Sequence, residues 1–247
     1  MHKFYEFKNM LEESSDLYIY GSITTNKDDD WFPSESDIDL NDFKEKLDSM
    51  NNNSILNMYV NSPGGSVFAA STMSSMLQRA KDTKNMTINV YVDGLAASAA
   101  SFLIMVADEI NMYTNSMLML HKPLSFAYGN AKELQKEIDV LNAIEDNVMI
   151  PLYEKKAKCD RETIKNLIDV ESWLSAEEVD GLFNVHLLNT AKECDACVDE
   201  NLFKRYKNVP NKFKNKISPK QQAIVEEIQD IDYSYFENKL NSLRGGK

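Results

Sequence analysis

Only three histidines are available to act as a general base in this chain of 247 residues. A serine nucleophile needs such a base, because its hydroxyl is a weak nucleophile until a proton acceptor stands beside it. His2 is terminal, and His186 sits alone in the strand-like run Val185–Leu188. His121 ends the apolar run Met117–Leu120 and precedes Lys122 and Pro123, and strand ends beside turns commonly carry catalytic side chains. The matching serine lies in the stretch Asp93-Gly-Leu-Ala-Ala-Ser-Ala-Ala-Ser101, which follows one strand-like run and opens a small-residue helix. A serine on such a turn projects its hydroxyl outward, near free backbone N–H groups, although the spacing is not GxSxG. A tightly packed helix whose serines bond their own turn would have the same composition. Ser98 with His121 is the economical pairing.

A second turn, Tyr59-Val-Asn-Ser-Pro-Gly-Gly-Ser66, also leaves a strand and enters a helix. Paired glycines there let the backbone present N–H groups at a helix N-terminus, a ready site for negative charge. No Gly-Lys-Ser/Thr follows, so it is not a P-loop, and it lacks the GxGxxG dinucleotide spacing. On its own it supports nothing beyond a tight turn. Cys194 and Cys197 form a CxxC pair, but zinc takes four ligands and the only other cysteine is Cys159. The pair also opens a linker rather than a helix after a strand, so no metal site and no redox role are expected.

The elements that must position these groups alternate between strand and helix. Leu17–Tyr20, Ile55–Val60, Thr87–Val92, Glu109–Tyr113, Met117–Leu120 and Val185–Leu188 read as strands. Leu40, Phe43, Leu47 and Met50 recur on one helical face, and Val67–Ala80, Ser98–Ala107 and Asp160–Ile168 read as further helices. Ala131–Lys156 is a long helical pattern that Pro151 should kink. Ser175-Ala-Glu-Glu178 is a capping box that opens a short helix ended by Gly181. This order favours an α/β fold with a largely parallel sheet.

Composition narrows the function. Apolar residues make up 43% and charged residues 27%, the usage of a folded globular chain. A net charge of −12 argues against nucleic acid or an anionic membrane as a partner. No apolar run reaches the ~18 residues of a membrane span, and the N-terminus has no apolar signal core. With three cysteines, a reduced cytoplasmic setting is the expectation. Residues 191–247 carry a net charge of +2, against −14 for the rest. The basic run from Lys204 to Lys220 reads as a solvated linker, and Ser218-Pro219 starts a final helix carrying Ile224, Ile228, Ile231 and Tyr235. The expected organisation is an N-terminal extension (1–14), a main domain (15–190), a basic linker (191–217) and a helical appendage (218–247).

Asn61-Ser-Pro-Gly-Gly65, Gly94-Leu-Ala-Ala-Ser98, Met119-Leu-His121-Lys-Pro123 and Trp173-Leu-Ser-Ala176 with Gly181 occur in the order and spacing of the Clp protease proteolytic subunit. The chain resembles that family over residues 16–190. It is most similar to the phage-encoded head maturation, or prohead, proteases, because the loop Thr24–Glu35 and the C-terminal linker and helix are not typical of the housekeeping peptidase.

The resemblance implies a ClpP/crotonase-like fold of stacked β/α units with a protruding handle helix. It implies a serine endopeptidase in which Ser98 is the nucleophile and His121 the base, with Gly64 and Ala99 N–H groups as the oxyanion hole and no cofactor. An extended peptide or protein substrate would add as a strand beside Gly65-Ser66-Val67 and Pro123-Leu124-Ser125. The third triad member departs from the family: ungapped registration from Leu174-Ser175-Ala176 gives Glu171, with Asp169 the alternative two residues upstream. The implied assembly is a homo-oligomeric ring, with capsid or scaffold proteins as substrates, and an ATPase partner in the housekeeping-type reading. A crotonase-like acyl-CoA enzyme and an inactive ring-forming scaffold are the competing readings.

Overall fold

In the computed structural model, residues 5–9, 14–23, 40–52, 54–189 and 206–210 are described. The chain divides into two units, residues 1–208 and 209–247. The basic linker and the final helix expected from the sequence lie largely outside the described residues, as do the loop 24–35 and the Cys194–Cys197 pair.

Eight strands among the described residues form one sheet: β1 (Tyr5–Lys8), β2 (Ser14–Ile19), β3 (Ile55–Ser62), β4 (Thr87–Ala97), β5 (Glu109–Tyr113), β6 (Met117–Leu120), β7 (Ser172–Ser175) and β8 (His186–Leu188). The order is β1-β2-β3-β4-β5-β8, with β6 paired to β4 and β7 paired to β6. Pairings from β2 to β5, and those of β4 with β6 and β5 with β8, are parallel; β1–β2 and β6–β7 are antiparallel. The α/β expectation therefore stands. β1 falls in the stretch read as an N-terminal extension and adds an edge strand to the sheet. β7 has no signal of its own, because it is only four residues long and its last, Ser175, opens the capping box that follows.

Helices cover the sheet. Phe43 and Leu47 of α1 (Leu40–Ser49) are buried, as are Ala69, Ala70, Met73 and Leu77 of α2 (Val67–Lys84). The methionines of α2 thus divide: Met73 is fully buried, while Met76 packs at the margin of the core. Alternate residues of the central strands, Leu56, Met58, Val60, Ile88, Val90 and Val92, face this core. On the opposite side Tyr18, Tyr59 and Tyr91 lie in register and stack, with ring centroids 4.8 and 5.2 Å apart. Parallel strands are normally covered on both sides, and these tyrosines cover the second side only in part.

The long helical pattern is realised as α4 (Ala131–Ile144), a π-helical turn (Glu145–Met149) and α5 (Ile150–Glu154). Pro151 sits in the first turn of α5, where its missing N–H costs nothing, and the π turn absorbs the break just before it. Asn130 and Glu133 form a reciprocal capping box that fixes the start of α4. Its apolar stripe splits along its length. Leu134 and Ile138 are exposed, Leu141 is half-buried and Ile144 is buried, so α4 stands away from the body of the domain. α6 (Arg161–Asp169) and α7 (Ala176–Leu182) complete the unit, α7 through the expected box between Ser175 and Glu178. None of the helices among the described residues is long and apolar enough to cross a membrane.

Candidate active site

Strand register brings Ser98 and His121 together. β4 is the pivot of the sheet: its first half pairs with β5, its second half with β6, and Ala97 lies opposite Met119. Ser98, one residue beyond Ala97, and His121, two beyond Met119, leave their strands at the same end of the sheet. Ser98 N–H donates to Met119 C=O at 2.9 Å, which ties the turn after β4 to the end of β6. Ser98 Oγ lies 2.7 Å from His121 Nε2, and both residues are only 8% exposed. With Nε2 unprotonated the hydroxyl donates to it.

The backbone at Ser98 explains its reach. Its φ and ψ are 53° and −122°, a conformation that L-residues rarely adopt. The chain turns sharply from β4 into α3 (Ala99–Leu103), so the side chain stands clear of both elements. A second layer holds this turn. Ser101 Oγ donates to Ser98 C=O at 2.6 Å and meets the hydroxyl of the fully buried Tyr153 at 2.6 Å. Burial holds the Tyr153 phenol well above its ordinary pKa, so it remains a neutral hydrogen-bonding group.

The glycine pair meets the Ser98 turn directly. A Cβ on Gly64 would lie 2.5 Å from Ala97 O, 2.7 Å from Ser98 Cβ and 2.9 Å from Ala99 N, and Gly64 has φ +92°. A Cβ on Gly65 would fall 2.2 Å from Ile23 O. Both glycines are therefore required by close backbone approach and by positive φ. The Ala99 N–H opens α3 and has no intrahelical acceptor. The Gly64 N–H donates to Ser62 Oγ at 3.1 Å, and Ser62 Oγ donates to Gly21 O at 2.6 Å. Ser66 caps α2 by accepting from Ala69 N–H, and its own N–H donates to Ile23 O at 2.7 Å, so one side of the Gly65–Val67 segment is already paired. Beyond His121, Pro123 is buried, whereas Leu124 and Ser125 are exposed in a segment with no strand partner.

The acid side differs. β7 runs antiparallel to β6 with Leu120 opposite Ser172, which brings Glu171 across from His121. Its carboxylate nevertheless accepts from Trp173 Nε1 at 3.3 Å, Lys207 N–H at 3.0 Å and Asn208 N–H at 2.6 Å. Among the described residues no carboxylate bonds to His121 Nδ1. Asp169 is exposed and pairs with Lys122 Nζ at 3.1 Å. Burial pushes the His121 pKa down to about 4, and the Glu171 charge opposes that shift. His186 is exposed on β8 and takes no part.

Tyr206 is a component the sequence reading did not single out. It belongs to the run read as solvated linker, yet it is 9% exposed, stands edge-on to His121 at 5.1 Å and to Trp173 at 5.8 Å, and donates its hydroxyl to Pro63 O at 2.7 Å. The available signal was the aromatic and apolar residues Phe203, Tyr206 and Val209 interrupting the lysines.

The family model described as Clp protease matches residues 4–182, well over half of the chain. The chain belongs to the Clp protease family. Two curated proteins described as ATP-dependent Clp protease proteolytic subunit 1, from two strains of Prochlorococcus marinus, are 32% and 31% identical over 123 residues, or 49% of this chain. The match spans 60% of the length of each. A solved structure of a ClpP1 mutant from Listeria monocytogenes shares the fold with TM-score 0.54 and 21% identity, covering 69% of this chain and 89% of that one. The Clp-like fold thus accounts for the body of the domain. The matched range ends before Tyr206.

Proposed function

We propose that the chain is a serine endopeptidase of the Clp proteolytic-subunit type. The observation that carries this reading is the buried 2.7 Å contact between Ser98 Oγ and His121 Nε2 at a sharp strand-to-helix turn. Ser98 Oγ attacks the peptide carbonyl carbon while His121 Nε2 takes its proton. His121 then gives that proton to the departing amine, leaving an acyl-enzyme that water hydrolyses by the same route. The Ala99 N–H and the Gly64 N–H, which exchanges Ser62 Oγ for the substrate, stabilise the oxyanion, each by about 2.7–4 kcal/mol. Glu171 acts on the imidazole as a nearby charge. No cofactor takes part.

The substrate is a protein or peptide in extended form, running beside Gly65–Val67 and Pro123–Ser125. The exposed apolar residues of α4 support a homo-oligomeric ring, because a lone subunit would leave Leu134 and Ile138 in water. The physiological substrates in this reading are capsid or scaffold chains cleaved during phage head maturation in the host cytoplasm. The loop Thr24–Glu35 and the C-terminal extension support that choice over a housekeeping subunit with an ATPase partner.

The test is a fluorophosphonate probe with mapping of the modified residue. Labelling of Ser98, abolished in His121→Ala, is the expected result. A chain that resists the probe would instead be the inactive scaffold, a reading supported by the lack of an Nδ1 carboxylate among the described residues.

A further inference from the structure

We infer that the segment Tyr206–Asn208, beyond the range matched by the family, completes the active site, with Tyr206 as a positioning residue for His121. The inference rests on the serine peptidase reading above.

An imidazole that accepts a proton at Nε2 must be held against rotation and kept from water until the transfer. In serine peptidases a carboxylate at Nδ1 usually does the first of these tasks. Among the described residues no carboxylate does so. Instead the Tyr206 ring stands edge-on to His121 with an interplanar angle of 82°. The contact is anchored at both ends. The Tyr206 hydroxyl donates to Pro63 O at 2.7 Å, immediately before Gly64, and the ring also stands against Trp173. One side chain therefore links the base, the glycine turn and the strand that follows Glu171. Edge-to-face rings at this distance attract one another, and the hydroxyl bond fixes the rotation of the tyrosine.

The two residues that follow fix the acid. Lys207 and Asn208 N–H groups each donate to one oxygen of Glu171, and Asn208 Nδ2 donates to Val170 O at 2.9 Å. Glu171 itself has φ +53°, so its backbone would not hold this conformation without partners. The carboxylate is thereby kept close to the imidazole while bonded elsewhere. Among the described residues, the groups that act on His121 are Ser98, Glu171 and Tyr206; the neighbouring Lys122 is engaged by Glu145 and Asp169.

The experiment compares wild type, Tyr206→Phe and Tyr206→Leu in the full chain. It measures probe labelling of Ser98, kcat and KM on a peptide, and the pH profile of kcat/KM. Tyr206→Phe keeps the ring edge and should retain kcat within about threefold, whereas Tyr206→Leu should lower kcat by about tenfold or more with KM nearly unchanged, because a misplaced base loses rate rather than affinity. The acid limb of the profile should rise by about half a unit or more in Tyr206→Leu as water returns to the imidazole. Wild-type rates in Tyr206→Leu overturn the inference. Faster turnover in either variant also overturns it, marking the segment as an obstruction. A fall in kcat that tracks the folded fraction and leaves the acid limb unmoved overturns it too, since that is a structural role alone. If the wild type resists the probe, the peptidase reading itself fails and this inference falls with it.

Discussion

Ser98 and His121 meet at 2.7 Å, buried and joined through the parallel register of β4 and β6. Glu171 is brought to the same imidazole by the antiparallel register of β6 and β7, yet its carboxylate is taken by Trp173, Lys207 and Asn208. Register alone therefore decides which residues approach. Whether they bond depends on what else competes for them. On the Ser98 side no competitor is seen among the described residues: Ser101 Oγ donates to the turn's backbone at Ser98 C=O, Tyr153 bonds the Ser101 hydroxyl, and the Ser98 hydroxyl is left to His121. On the acid side two backbone N–H groups outcompete one imidazole N–H. The two halves should accordingly respond to substitution on different scales.

The largest effect belongs to the Ser98–His121 half. Ser98→Ala and His121→Ala should each lower kcat by about 10⁴–10⁶, and the double variant should be no worse, because the pair acts as a unit. Active-site titration and peptide turnover check this, and appreciable cleavage by Ser98→Ala with Ser101 intact would break the assignment. Gly64→Ala comes next. Its Cβ would enter the 2.5 Å gap to Ala97 O and strain a residue at φ +92°, displacing the Gly64 and Ala99 N–H groups proposed to hold the oxyanion. A loss of about 10²–10³ in kcat is expected. Unchanged turnover in a folded Gly64→Ala would show that the glycine turn is not part of the hole.

What could be read from the sequence follows the same division. The two turns, the strands that deliver them and the capping box at Ser175 all depend on neighbours a few residues apart, where spacing carries the information. The Ser98–His121 contact spans 23 positions, but it follows once β4 and β6 are recognised as adjacent strands. Tyr206 lies 85 positions from His121 and 143 from Pro63, in a run whose lysines dominate its composition, so no periodicity marks it. The π turn before Pro151 was also hidden. A proline predicts a break in a helix but does not say on which side the chain will absorb it. β1 is hidden for a related reason: a four-residue edge strand is too short for its alternation to be recognised.

Acid should expose the burial of the base. The His121 pKa is about 4 in the folded protein against 6.5 for the free side chain, so between those values the unfolded chain binds a proton that the folded one refuses. This group therefore costs stability as pH falls from 6.5 to 4, by about 3 kcal/mol at ~1.4 kcal/mol per unit, and nothing further below. Denaturant unfolding at pH 7 and pH 4.5 checks the sign: His121→Gln should lose less stability than wild type over that interval. Equal losses would mean that the imidazole is more hydrated than its contacts with Ser98 and Tyr206 imply.

The smallest effects separate the two acids. A carboxylate bonded to Nδ1 of its histidine contributes about 10⁴ to kcat, measured by converting it to the amide. Glu171 forms no such bond and acts through its charge, so Glu171→Gln should cost only about tenfold, the equivalent of one unit of pKa on the base. The acid limb of the activity profile should move down at the same time, since the charge that favours protonated His121 is gone. Asp169→Asn should change kcat by less than about twofold: it gives up only an exposed pair with Lys122, and such pairs contribute about 0–1 kcal/mol. A loss near 10⁴ in Glu171→Gln would mean that the carboxylate leaves Lys207 and Asn208 for Nδ1 when substrate binds. A large loss in Asp169→Asn with Glu171→Gln unimpaired would transfer the acid role to Asp169, and with it the need for α6 to end differently when the site is occupied.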